Sequence, residues 1–117
     1  MTEAIKVGFK DTEFVFMSTP QAPNMIKEIF ADNYALLAKN FEFRPGDIVI
    51  DAGANEGMFS IMMGKLFPKV FFLAFEPVPQ TYNTLLENIK MNGLTNIIPY
   101  NLGFGGKNQT KATMIVP

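Results

Sequence analysis

Apolar residues along this chain switch between a strand-like and a helix-like period, and the switches divide it into elements. "AIKVGF" (4–9) and "EFVFMS" (13–18) flank the polar "KDT" as two short strands of a hairpin, so residues 1–20 form an N-terminal β-hairpin unit. "TPQAP" interrupts the pattern with two prolines. "NMIKEIFADNYALLAKNF" then places Met25, Ile29, Tyr34, Leu37 and Phe41 at roughly helical intervals, an amphipathic helix within residues 21–43. Pro45 disfavours helical geometry at Arg44, and Gly46 permits the reversal into the next strand.

Residues 44–117 alternate regularly. "DIVIDAG" predicts a buried strand, "NEGMFSIMMGKLF" a helix, "KVFFLAFEP" a second strand, "PQTYNTLLENIKMNG" a second helix and "NIIPYNLG" a third strand. Pro79 near the start of the second helix and Gly93 just past its end follow the usual asymmetry of helix termini. Strands that are apolar throughout predict a parallel sheet covered on both faces. The fold class is therefore α/β, with a β-α-β-α-β core that is half of a doubly wound, Rossmann-like sheet, in one domain spanning 1–117. The polar turn "GFGGKNQT" and the apolar "KATMIVP", a possible last strand, follow.

Composition narrows the chemistry. With 48% hydrophobic and 18% charged residues the chain is expected to fold. A net charge of -1 supplies no basic field, so neither nucleic acid nor an anionic membrane is an expected partner. No apolar run approaches spanning length and the N-terminus lacks a signal core, which predicts a soluble, cytoplasmic protein. Cysteine and histidine are both absent, removing thiolate nucleophiles, the commonest neutral-pH base and the commonest transition-metal ligands; no metal site is expected. The eight methionines, Met58, Met62 and Met63 among them, suit adaptable core filling.

In an open parallel sheet, ligands sit beyond the carboxyl ends of the strands. Those ends carry Asp51, Gly53, Asn55 and Gly57, then Glu76 and Pro77, then Asn101 and Leu102. An acid about 20 residues past a glycine loop can accept hydrogen bonds from both ribose hydroxyls, which is the role open to Glu76. A dinucleotide loop needs a glycine where this chain has Asn55, because its backbone must approach a pyrophosphate. Asp51 would also repel phosphate, yet could assist an ammonium group. A phosphate-free nucleoside with an amino-acid end, S-adenosylmethionine, meets these conditions.

"VIDAGANEGMFSI" followed by "AFEPVPQTYNTLLENIKMNGLTNIIPYNLGFGGKNQ" resembles the core of the FkbM family of S-adenosylmethionine-dependent methyltransferases. The D-x-G-A-N-x-G loop, the F-E-P after the second strand and the N-x-x-x-N-G-L-x-N-I run occur in the family's order, over about Pro45 to Gln109. The resemblance implies a class I methyltransferase fold. It implies that Asp51, Gly53, Ala54, Asn55 and Gly57 surround the methionine moiety, that Glu76 binds the ribose, that Pro77 borders the adenine, and that Asn101 with Leu102 lies beside the base. It further implies O-methylation of a hydroxyl on a sugar or natural product, with no residue assigned as base. Family members continue beyond the third strand to an I-D-x-E-G-like motif, so this chain is expected to be a truncated fold, the cofactor-binding half or fragment.

Other readings stay open: the glycines as ordinary turn residues with Asp51 an N-cap, a nicotinamide-dinucleotide-binding oxidoreductase fragment, and a non-catalytic Rossmann-like scaffold. Without a later strand beside it, "DIVIDAG" would offer an apolar edge through which the chain could form a homodimer, unless "KATMIVP" folds back over it.

Overall fold

The computed structural model describes residues 3–31, 42–103 and 112–116. Strands β1 (Ala4–Phe9) and β2 (Thr12–Met17) pair antiparallel with Phe9 opposite Thr12. The turn is thus the two residues Lys10 and Asp11, at φ 49° and 58°, while Thr12 opens β2. Two left-handed residues give a turn whose twist matches that of the strands. Alternation on β2 buries Phe14 and Phe16, whose rings pack against Phe30 with centroids 5.0 and 5.8 Å away. Phe30 belongs to helix α1 (Ala22–Ala31), which also brings Ile29 into the core and half-buries Met25. Tyr34, Leu37 and Phe41, expected on the continuation of this helix, lie outside the described residues.

The remaining elements are β3 (Ile48–Ala52), α2 (Met58–Leu66), β4 (Phe71–Phe75), α3 (Pro79–Met91), β5 (Ile97–Tyr100) and β6 (Ala112–Val116). They form a sheet of order β5-β4-β3-β6 in which β3, β4 and β5 run parallel. This is the Rossmann-like core the alternation predicts. The apolar pattern of 111–117 identifies a strand but carries no direction; β6 runs antiparallel to β3, with Ile48 opposite Val116 and Ala52 opposite Ala112. That side of β3 is therefore paired within the chain.

Both crossovers step the same way along the sheet, which with right-handed connections puts α2 and α3 on one face. Val49, Phe72, Ala74 and Ile97 are buried there in one cluster with Met58, Ile61, Met62, Met63 and Leu85. The other face is different. Phe71, Ile98 and Tyr100 are exposed, Ile48, Ile50 and Leu73 are half-buried, and Tyr100 stacks on Phe75 at 4.8 Å. The expected cover on both faces is thus not met among the described residues: a strand can be apolar throughout while helices protect one side only.

Three asparagines of the N-x-x-x-N-G-L-x-N-I run hold these layers together. Asn92 Nδ2 donates to Val15 O at 2.7 Å and its Oδ1 accepts from Val15 N at 3.0 Å, so one carboxamide pairs with the outer edge of β2 as a neighbouring strand would. Asn88 Oδ1 accepts from Met17 N at 2.8 Å, one turn earlier on α3. Asn96 Nδ2 donates to Gly64 O, Val70 O and, more weakly, Phe67 O, joining the end of α2 to the start of β4. Gly93, at φ 64°, ends α3 by donating to Lys90 O, and Leu94 donates to Ile89 O, the paired bonds of a Schellman terminus.

Asn92→Ala leaves the Val15 donor and acceptor without their side-chain partner. It is expected to destabilise the fold by about 1–3 kcal/mol in urea titration and to speed amide exchange at Val15 more than at β4.

Candidate functional site

The loop after β3 is anchored on the end of β4. Gly53 N and Ala54 N both donate to Phe75 O at 2.9 Å. Gly53, Asn55 and Gly57 have φ of 74°, 58° and 92°, so every second residue is left-handed and the chain coils tightly before α2. Asn tolerates this conformation better than most side chains. At Gly57 the requirement is also steric, since an added Cβ would stand 2.5 Å from Leu85 Cδ1 on α3. Gly57 O accepts from Ile61 N at 2.8 Å, closing the first turn of α2.

Glu76 bridges the first two strand ends. Its Oε1 accepts from Asn55 N at 2.8 Å and its Oε2 from Val78 N at 3.1 Å, with the residue only 6% exposed. Each oxygen uses one acceptor site on the backbone and retains capacity for another donor. The third strand end joins in: Glu76 N donates to Tyr100 O at 2.9 Å, and Asn101 Nδ2 donates to Glu76 O at 2.9 Å and to Pro77 O at 3.2 Å.

The structure thus brings Gly53, Ala54, Asn55, Glu76, Pro77 and Asn101 into one hydrogen-bonded group. Gly57 and Asp51 support it from the α2 side. Asp51 is fully buried and its Oδ2 accepts from Ser60 Oγ on α2 at 2.8 Å. Leu102 is exposed beyond Asn101. Residues 51–57, 76–78 and 101–103 include three carboxylates and no lysine or arginine. Carboxylates accept hydrogen bonds, and the remaining acceptor capacity of Glu76 at the strand ends suits ribose hydroxyls.

Sequence reasoning passed over one acid in this loop. Glu56 occupies the variable position of D-x-G-A-N-x-G, yet it is 2% exposed. Its Oε1 accepts from Thr19 Oγ1 and its Oε2 from Gln21 Nε2, both at 2.8 Å. Asn88 Nδ2 donates to its carbonyl at 2.8 Å. Burial pushes its carboxyl above the ordinary value of 4.5, partly countered by the Thr19 hydrogen bond. No local signal marks it, because its partners lie 35 and 37 positions away.

No family model matches the chain. It is 32% identical over 91 residues to Methyltransferase 1 of Beauveria bassiana, covering 78% of this chain and 35% of that protein. It is 40% identical over 76 residues to Methyltransferase sdnD of Sordaria araneosa, covering 65% and 28% respectively. It is 41% identical over 68 residues to the 31-O-demethyl-FK506 methyltransferase FkbM of Streptomyces tacrolimicus, covering 58% and 26%. The chain thus spans about a third or less of the length of these curated relatives. Among solved structures it is similar to M. jannaschii TYW2 in complex with AdoMet, with a TM-score of 0.55 and 25% identity over 85% of this chain and 43% of that one. No helix among the described residues is long and apolar enough to cross a membrane. The chain is thus similar in sequence to proteins named methyltransferases and in fold to a protein solved in complex with AdoMet.

Proposed function

We propose that the chain binds S-adenosylmethionine across the carboxyl ends of β3, β4 and β5 and serves O-methylation of a sugar or natural-product hydroxyl, as an FkbM-type methyltransferase. One observation carries the reading: the Glu76 carboxylate, at the end of β4, is fixed against the glycine loop by the Asn55 N–H at 2.8 Å. A buried acid pre-oriented in this way receives ribose hydroxyls without reorganising. Gly53, Ala54, Asn55 and Gly57 enclose the amino-acid end, with Asp51 beneath them, and Pro77, Asn101 and Leu102 flank the base. The relative named for 31-O-demethyl-FK506 favours an oxygen acceptor in a natural product.

The sulfonium of the bound cofactor supplies an already activated methyl group. What remains for the protein is alignment and exclusion of water. The hydrogen bonds from Gly53, Ala54 and Asn55 to the end of β4 fix the loop that sets that alignment.

Calorimetric titration with S-adenosylhomocysteine is expected to give saturable heat, and titration with NAD none. Heat only with NAD would favour the oxidoreductase fragment, and none with either the non-catalytic scaffold. Glu76→Ala is expected to weaken S-adenosylhomocysteine binding by about 1–3 kcal/mol, with Glu76→Gln intermediate because it keeps one acceptor oxygen. Unchanged affinity in Glu76→Ala would remove this residue from the site.

A further inference from the structure

Glu56 stands where three parts of the molecule meet. Its backbone belongs to the glycine loop, its carbonyl is held by Asn88 of α3, and both carboxylate oxygens are taken by side chains of the segment between β2 and α1. A cavity of about 270 Å³ lies beside it, lined by Thr19, Gln21, Gln80, Thr81 and Thr84 among others. One residue earlier, Asn55 donates its N–H to Glu76. A continuous path therefore runs from Thr19 and Gln21, through Glu56 and Asn55, to the acid at the end of β4.

We propose that Glu56 is a positioning residue for cofactor binding, fastening the 53–57 loop to the Thr19–Gln21 segment so that the loop holds its ligand-receiving shape. The proposal rests on the reading of this loop as the S-adenosylmethionine site. Thr19 is half-exposed and Gln21 exposed, so neither contributes much to the core. Their two hydrogen bonds converge instead on a buried carboxylate adjacent to Asn55. Burying a carboxylate on neutral donors costs stability, and the described side chains lining its cavity do not offset it with charge. Thr19 and Gln21 from the connecting segment, and Gln80, Thr81, Thr84 and Asn88 from α3, include no titratable side chain. A hydroxyl and a carboxamide can serve Glu56 in either protonation state, because the Thr19 hydroxyl can reverse its direction.

The sign of the pH effect follows. A carboxyl whose pKa is raised in the folded protein contributes fully to stability below its unfolded value of 4.5, and that contribution is lost as pH rises through the raised value. Glutamine has no such loss. Glu56→Gln is thus expected to melt increasingly above the wild type as pH rises from about 4.5, while keeping S-adenosylhomocysteine affinity within about threefold.

The test combines calorimetry with S-adenosylhomocysteine and amide exchange on the unliganded full chain. In Thr19→Val/Gln21→Leu, exchange at Asn55 and Gly57 should rise about tenfold and affinity fall about three- to thirtyfold, with Glu56→Ala behaving alike. Unchanged loop exchange with normal ligand heat would overturn the proposal and leave the cofactor site standing. Faster exchange in a protein whose wild type shows no heat would overturn both. Glu56→Gln binding as weakly as Glu56→Ala would also overturn the proposal.

Discussion

The 2.8 Å hydrogen bond from the Asn55 N–H to Glu76 Oε1 ties together two loops that leave different strands. Parallel pairing fixes where those strands end, with Ala52 opposite Phe75, but it does not fix the path of the chain beyond them. The Glu76 carboxylate sets that path. It takes one backbone N–H from each loop, and a charge-assisted bond of this kind is roughly twice as strong as a neutral one. Phe75 O, accepting from both Gly53 N and Ala54 N, holds the same crossing from the other side. The site can be rigid because its acid and its loop are each other's partners before any ligand arrives.

The loop also depends on what lies behind it. Gly57 is closed in by Leu85, and Asn88, one turn along α3, holds the Glu56 carbonyl. The same Asn88 reaches β2 through Met17. A helix that packs beneath the sheet thereby sets both the hairpin and the loop. The hairpin is consequently part of the site's support.

Much of this was legible from local pattern. Continuous apolar strands, helical spacing, Pro79 and Gly93 gave β3 through β5 in order, because each rests on backbone preferences acting over a few residues. The glycine loop and Glu76 were legible because their spacing is a property of one strand-helix-strand unit. Glu56 was not, since its burial depends on Thr19 and Gln21 far away in the chain. The roles of Asn88, Asn92 and Asn96 were hidden for the same reason: the run is recognisable as a pattern, but its carboxamides bond to β2, α2 and β4. The direction of β6 and the exposure of Phe71, Ile98 and Tyr100 were also beyond local pattern, because apolar spacing records that a side chain prefers burial and not what covers it.

The loop from Gly53 to Gly57 shows how backbone shape limits which side chains it can carry. Three left-handed residues coil the loop, and glycine is the cheapest choice at each. At Gly57 an added Cβ would also require the Leu85 side chain to shift, whereas Asn at 55 is tolerated because its short polar side chain softens the cost. Three carboxyl groups stand around the same turn, and they are directed differently: Asp51 accepts from Ser60 on α2, Glu56 from Thr19 and Gln21, and Glu76 from the backbone of Asn55 and Val78. Glu76 keeps acceptor capacity on both oxygens after its two backbone bonds, which is why the proposed ribose contact falls to it.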